Sequence, residues 1–110
     1  MNEEVKEYLL DILDSCNAIK KYYKKGTALL SVDRKTKRAV ERELEIIGQA
    51  VYLINKIDPS IDIYEKNKII RLRYKLFYSY FEIDTGLIYR YTTKDIYFLI
   101  GSVESLLNNE

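Results

Sequence analysis

The sequence predicts an all-α protein, an antiparallel up-and-down bundle of four helices. Apolar residues recur at spacings of three and four along most of the 110-residue chain, which is the period of an amphipathic α-helix. Four glycines and one proline provide the main breaks, and they divide this pattern into four segments. Strict alternation of polar and apolar residues, which is typical of strands, is nowhere sustained. Short connections between such helices favour antiparallel neighbours.

The first helix is predicted from about Glu3 to Tyr23, and the residues Lys24 to Gly26 end it, because basic charge in the last turn and a following glycine are stop signals. The second is predicted from about Asp33, as N-cap, to Lys56, before the Asp58–Ser60 turn. The apolar faces of these two helices are Val5, Leu9, Ile12, Leu13, Cys16, Ile19 and Tyr23, then Val40, Leu44, Ile47, Val51 and Ile54.

Gly48 lies in the middle of the second helix. Glycine costs about 1 kcal/mol there relative to alanine, so its presence predicts the close approach of another backbone.

The third helix is predicted to start near Asp62, where Asp62 and Glu65 resemble a capping box, and to end before Asp84. The fourth contains Leu87–Tyr91 and continues to Leu107, with a kink or a fresh helix start near Thr92–Asp95. The apolar positions of the two helices are Ile69, Leu72, Leu76, Phe77 and Tyr80, then Ile96, Leu99, Ile100, Val103, Leu106 and Leu107.

The composition limits the kinds of catalytic and metal site that the protein can have. We expect one domain over residues 1–110. The chain has no histidine, which excludes Ser-His and Cys-His catalysis and His-ligated metals, and one cysteine, which excludes an internal disulfide and multi-Cys metal sites. We therefore expect no metal and no cofactor, and Cys16 as a buried apolar residue. The net charge of +1 provides no strong overall field for nucleic acid or membrane.

The location and assembly of the protein follow from similar observations. The acidic amphipathic start does not resemble a secretory signal, and no apolar run is long enough to span a membrane, so we expect a cytoplasmic protein with no membrane partner. Eleven tyrosines and three phenylalanines favour a homodimer, because aromatic enrichment is typical of interfaces.

The densest group of candidate functional residues lies between Arg71 and Tyr80. Arginine forks suit phosphates and tyrosine rings stack on bases, although an ordinary solvated basic face would give the same pattern. At about 100° per residue, Tyr78 points roughly 140° away from Arg73. A site that uses both therefore needs a helix end or the same segment of a second subunit.

Two further charged groups have weaker patterns. The basic run Arg34–Arg38 could meet phosphates, but acidic residues follow it, so paired surface charges are favoured. Surface pairing is also the interpretation for the carboxylates Asp11, Asp14, Glu41, Glu43 and Glu45.

Three blocks, Tyr8–Leu13, Ala39–Ala50 and Arg73–Asp84, occur in an order that resembles the HepT-like branch of the HEPN superfamily, and the resemblance extends from about Tyr8 to Leu107. It implies a helical homodimer. Active members are metal-independent ribonucleases with the motif arginine and histidine of both subunits in a cleft at the dimer interface. Many are toxins paired with a nucleotidyltransferase antitoxin, which in some pairs attaches AMP to the motif tyrosine.

The family motif is an arginine, a polar residue that is usually asparagine, three residues, a histidine, one residue and a tyrosine. By position, Arg73 matches the arginine and Tyr80 the tyrosine that can receive AMP, whereas Tyr74 replaces the asparagine and Tyr78 the histidine. Gln49 stands where this branch often has glutamate. The phenol of a tyrosine such as Tyr78 has an ordinary pKa near 10 and is a poor base at neutral pH. Losing acid–base catalysis lowers a reaction rate by about 10²- to 10⁴-fold.

The resemblance thus implies a degenerate ribonuclease motif, with Arg73 and Tyr78 at the catalytic positions and Arg73, Tyr74 and Tyr80 in RNA or nucleotide binding. It also implies a nucleotidyltransferase-like antitoxin as partner in a toxin–antitoxin-like pair. Two alternatives remain open: an active metal-independent ribonuclease toxin, and a helical interaction module without a nucleic-acid role.

Overall fold

The computed structural model describes residues 1–23, 34–78 and 94–109. These contain four helices, α1 (Glu3–Tyr23), α2 (Arg34–Ile57), α3 (Lys66–Tyr78) and α4 (Ile96–Asn108). The described ranges contain no strand, and the predicted all-α class is confirmed. No helix within them is long and apolar enough to cross a membrane.

Helix α1 packs on α2 and α4, and α2 packs on α3. Tyr8, near the start of α1, lines the same groove as Leu53, near the end of α2. Cys16, further along α1, lies close enough to Glu43 for that charge to act on its thiol. The antiparallel up-and-down arrangement of the helices stays a prediction.

The core consists of the predicted apolar faces. The fully or almost fully buried members are Val5, Leu9, Ile12, Cys16 and Ile19 of α1, Val40, Leu44, Ile47, Val51 and Ile54 of α2, Ile69 and Leu72 of α3, and Ile96, Leu99 and Val103 of α4. Leu13, Leu76, Ile100, Leu106 and Leu107 pack against them partly buried. Cys16 is buried as expected, and this burial raises the pKa of its thiol to about 12.

The start of the third helix differs from the prediction. Helix α3 begins at Lys66, and Glu65 has a φ of 50°, in the left-handed region, so the helix cannot extend back through it. The Asp62–Glu65 capping box is therefore wrong. The preceding turn is held instead by Asp58, which accepts hydrogen bonds from the backbone N–H (3.1 Å) and the hydroxyl (2.6 Å) of Ser60.

The connector before α3 is fastened to α4 by Tyr64. Its backbone N–H donates to Ser102 Oγ (3.1 Å) and its hydroxyl donates to Asp95 Oδ1 (2.9 Å). Asp95 already has helical dihedral angles immediately before α4. The predicted Asp33 cap, the end of the third helix, Leu87–Tyr91 and most of the predicted kink lie outside the described residues.

The packing of α3 on α2 depends on Gly48, as its position in the sequence predicts. A Cβ at Gly48 would lie 2.5 Å from Cβ and 3.2 Å from Cγ of Arg73. The stem of Arg73 therefore rests directly on the backbone of α2. This contact places the guanidinium of Arg73 beside Gln49, the next residue of α2, and Tyr52, one turn further on.

We expect Leu9→Ala to lower the free energy of unfolding by about 2–5 kcal/mol, because Leu9 is fully buried and its truncation leaves a cavity. Leu10→Ala is the matched control: the neighbouring side chain is 46% exposed, and we expect a change within about 0.5 kcal/mol. Urea unfolding measures both. Equal losses for the two variants would contradict the assignment of the core face of α1.

We expect Gly48→Ala to destabilise the protein by about 1–3 kcal/mol, because the new methyl group would overlap the stem of Arg73. Gly101→Ala is the control in α4, where nothing lies within 4 Å of the added Cβ. There the better helix propensity of alanine should stabilise by about 1 kcal/mol. Stabilisation by both substitutions, measured by urea unfolding, would show that α3 does not approach α2 this closely.

Candidate functional site

Arg73 of α3 is held by two residues of α2 and by its own neighbour. Its Nε donates a hydrogen bond to Gln49 Oε1 over 2.8 Å. Its guanidinium carbon lies 4.7 Å from the ring centroid of Tyr52 and 5.0 Å from that of Tyr74. The Nη1 atom is buried. A hydrogen bond and two cation–π contacts thus fix both the position and the plane of the guanidinium.

A second cation extends this arrangement. The Lys56 ammonium lies 5.4 Å from the ring centroid of Tyr52, so this ring contacts cations from α2 and α3. We call Lys56, Tyr52, Arg73 and Tyr74 the cation–aromatic cluster. Tyr74 is 44% exposed, which leaves much of its ring open to solvent. The cluster therefore combines two positive charges with accessible aromatic surface.

Gln49 holds the guanidinium of Arg73 with an uncharged side chain. Its amide oxygen accepts the hydrogen bond from Arg73 without neutralising the guanidinium. A carboxylate at the same position would form an ion pair and offset most of that charge for an incoming anion. The contact with Gln49 therefore orients Arg73 and preserves its positive charge.

The guanidinium borders a groove of about 400 Å³ between α1, α2 and α3, called here the α2 groove. Helix α1 contributes Tyr8 and Asp11 to its lining, and α3 contributes Arg73. One face of α2 supplies the rest of the lining, namely Arg42, Glu45, Ile46, Gln49, Ala50 and Leu53. The groove has the size of a small-ligand pocket and combines an apolar surface with charged groups.

Burial affects the charge of the carboxylates along α2. Desolvation raises the pKa of Glu45, although the nearby Arg42 lowers it and Glu41 raises it further. Desolvation also raises the pKa of Glu43, which does not line the groove, and Arg42 again acts in the opposite direction. Glu45 is therefore a partly desolvated hydrogen-bond acceptor on the groove wall.

The structure brings two of the predicted site residues together. Arg73 lies half-buried at the groove, and Tyr74 contacts its guanidinium. Tyr78 is the last residue of α3, and a regular helix turns its direction roughly 140° from that of Arg73. The side chain of Tyr78 and the whole of Tyr80 lie outside the described residues.

The other charged groups separate into two classes. The basic run Arg34–Arg38 lies at the start of α2, and Arg38 is roughly 16 Å along the helix axis from Gln49, so it is not part of the groove. Asp11 and Glu45, which the sequence assigned to surface pairing, line the groove.

Sequence reasoning did not identify Tyr52 and Lys56 as neighbours of Arg73. The spacing of Gln49, Tyr52 and Lys56 places them along one side of α2, and this signal could have grouped them. Only the packing of α3 shows which charged group they contact.

Comparisons with known proteins identify the family of this chain. The family model described as "HepT-like: Ribonuclease HepT-like" matches residues 12–106. A protein of Thermococcus cleftensis described as "Probable ribonuclease HepT" is 32% identical over 111 residues, which cover 96% of this chain and 98% of that relative. No solved structure matches the chain significantly. With a family match over most of its length and this relative, the chain belongs to the HepT-like ribonuclease family.

Proposed function

We propose that the protein binds single-stranded RNA at the cation–aromatic cluster, as a HepT-like domain whose ribonuclease motif is degenerate. The fixed guanidinium of Arg73 is the observation that carries this proposal. An arginine already held in position loses little side-chain entropy when a phosphate binds, and its planar fork matches phosphate oxygens. The exposed ring of Tyr74 offers a surface on which an unpaired base can stack.

The degenerate motif predicts weak or absent cleavage of RNA. Cleavage of RNA by attack of its 2′-hydroxyl on the phosphate requires proton transfer at the attacking and leaving oxygens, and histidine serves both near neutral pH. This chain has no histidine, and Tyr78 occupies the motif position. Arg73 can still stabilise the charge of a phosphate. The proposed protein therefore retains RNA binding although its catalysis is weak or lost.

The proposed assembly is a homodimer of single helical domains. The roughly 140° between Arg73 and Tyr78 on one helix supports it, because one regular helix cannot aim both side chains at a single atom and a second copy of α3 would supply the other one. A nucleotidyltransferase-like antitoxin would be the protein partner of a toxin–antitoxin-like pair, with Tyr80 as the position that receives AMP. Family membership supports this part of the proposal.

The second candidate function is an active metal-independent ribonuclease. It is favoured by the Thermococcus cleftensis relative, whose name describes a probable ribonuclease and which is 32% identical to this chain. In that case the tyrosines would perform the proton transfers more slowly than histidine, and Arg73 would stabilise the charge on the phosphate. The two functions differ in whether the unmodified protein cleaves RNA.

We expect Arg73→Ala to weaken the binding of a fluorescein-labelled single-stranded RNA by on the order of tenfold or more, because it removes a charged hydrogen-bond donor. Arg71→Ala is the matched control, since Arg71 is an exposed arginine of the same helix that does not line the α2 groove. It should weaken the affinity by about twofold, which is the effect of removing one positive charge from the surface near the RNA. Fluorescence anisotropy measures both. Equal effects would contradict a specific role for Arg73.

We expect Tyr78→His to cleave a mixed RNA pool, in excess chelator, at least about 10²-fold faster than the wild type, because it restores a base that titrates near pH 7. Adding Arg73→Ala to this variant should abolish the cleavage. Gel analysis of the products over time measures the rates. Fast cleavage by the wild type that depends on Arg73 would instead establish the active ribonuclease.

A further inference from the structure

The end of the α2 groove away from Arg73 carries groups that phosphate binding does not use. Arg42 and Glu45 lie there on one face of α2, and the charge of Arg42 acts on the Glu45 carboxylate. Glu45 precedes Gln49, the hydrogen-bond partner of Arg73, by one helical turn, roughly 6 Å along the axis of α2. Arg42 and Gln49 are roughly 10 Å apart along the helix axis.

The apolar and aromatic lining of the groove suits a flat heterocycle. Ile46, Ala50 and Leu53 supply apolar side chains from α2, and Tyr8 supplies a half-buried aromatic ring from α1. The groove volume of about 400 Å³ lies in the range of pockets that hold small organic ligands. A nucleobase can bury its faces against such groups while its edges meet the charged residues.

Arg42 and Glu45 together favour one of the four RNA bases. An ionised carboxylate only accepts hydrogen bonds, so it pairs with a base edge that presents adjacent donors. Guanine presents N1–H and the N2 amino group side by side, whereas adenine, cytosine and uracil place an acceptor next to each donor on that edge. Arginine also favours guanine, because its fork matches the adjacent O6 and N7 acceptors. Both residue types therefore favour the same base.

We propose that the Arg42–Glu45 end of the α2 groove is a guanine subsite, which binds one base of the strand whose phosphate contacts Arg73. Glu45 accepts from N1–H and N2–H of the base, and Arg42 donates to its O6 and N7 edge. The apolar face of α2 and the ring of Tyr8 cover the base. This inference rests on the proposed RNA binding and adds a base preference to it.

The experiment compares three fluorescein-labelled RNA hexamers, UUGUUU, UUAUUU and UUUUUU, by anisotropy with the full-length protein. We expect the wild type to bind UUGUUU on the order of tenfold more tightly than the other two, which is the effect of one good bidentate contact. Glu45→Gln should reduce the affinities to a common value, because the amide places a donor against a guanine donor. Urea unfolding of each variant confirms that it is folded.

Glu43→Gln is the matched control. Glu43 is a half-buried carboxylate of the same helix, two residues earlier, but it does not line the groove. This variant should retain the preference for UUGUUU. Equal binding of the three hexamers by the wild type, or a preference that persists in Glu45→Gln, would overturn the guanine subsite.

The outcomes also distinguish this inference from the proposed function. Binding of UUUUUU that weakens in Arg73→Ala supports the RNA site whether or not guanine is preferred. If the wild type binds all three hexamers equally through Arg73, the RNA site stands and only the subsite is overturned. If none of the hexamers binds, the RNA-binding function is overturned together with the subsite.

Discussion

The contact between Gly48 and the stem of Arg73 is the constraint on which the candidate site depends. Because Gly48 has no side chain, α3 lies close enough to α2 for Arg73 to rest on its backbone. From there the guanidinium reaches Gln49, the next residue of α2, and Tyr52, one turn further on. A larger residue at position 48 would separate the helices and lengthen all of these contacts. The packing of two helices thus determines the geometry of a charged group.

Three neutral groups hold the guanidinium of Arg73. Half-burial removes water from the guanidinium, and the Gln49 amide and the two tyrosine rings replace part of that solvation. None of these three partners carries a negative charge. These three contacts orient the guanidinium without offsetting its charge. An oriented cation beside an exposed ring is suited to a ligand that combines phosphate and base.

The fold could be predicted from the sequence to a large extent, because burial follows the helical period. The central apolar stripe predicted for the second helix is buried from Val40 to Ile54, and Gly48 marked the close helix contact. The start of the third helix was predicted too early, since the positive φ of Glu65 is set by the connector and leaves no trace in local propensity. Periodicity reports which face of a helix is buried but not how a turn is closed.

The candidate site could be predicted only in part. Arg73 and Tyr74 were identified by the resemblance of their segment, and the structure places them in contact. Tyr52 and the groove position of Glu45 could not be identified, because they depend on how α3 and α1 pack against α2. Within one helix, spacing groups residues on a face. Which residues of another helix meet that face is decided by tertiary packing.

A double-mutant cycle in RNA affinity tests the central claim, that Tyr52 acts on RNA through the orientation of Arg73. The cycle compares Tyr52→Leu, Arg73→Ala and the double variant by anisotropy with one single-stranded RNA, after urea unfolding has shown that each is folded. We predict that Tyr52→Leu weakens binding in the wild type but has no further effect once Arg73 is absent, a coupling of about 1 kcal/mol. Additive effects of the two substitutions would contradict the account.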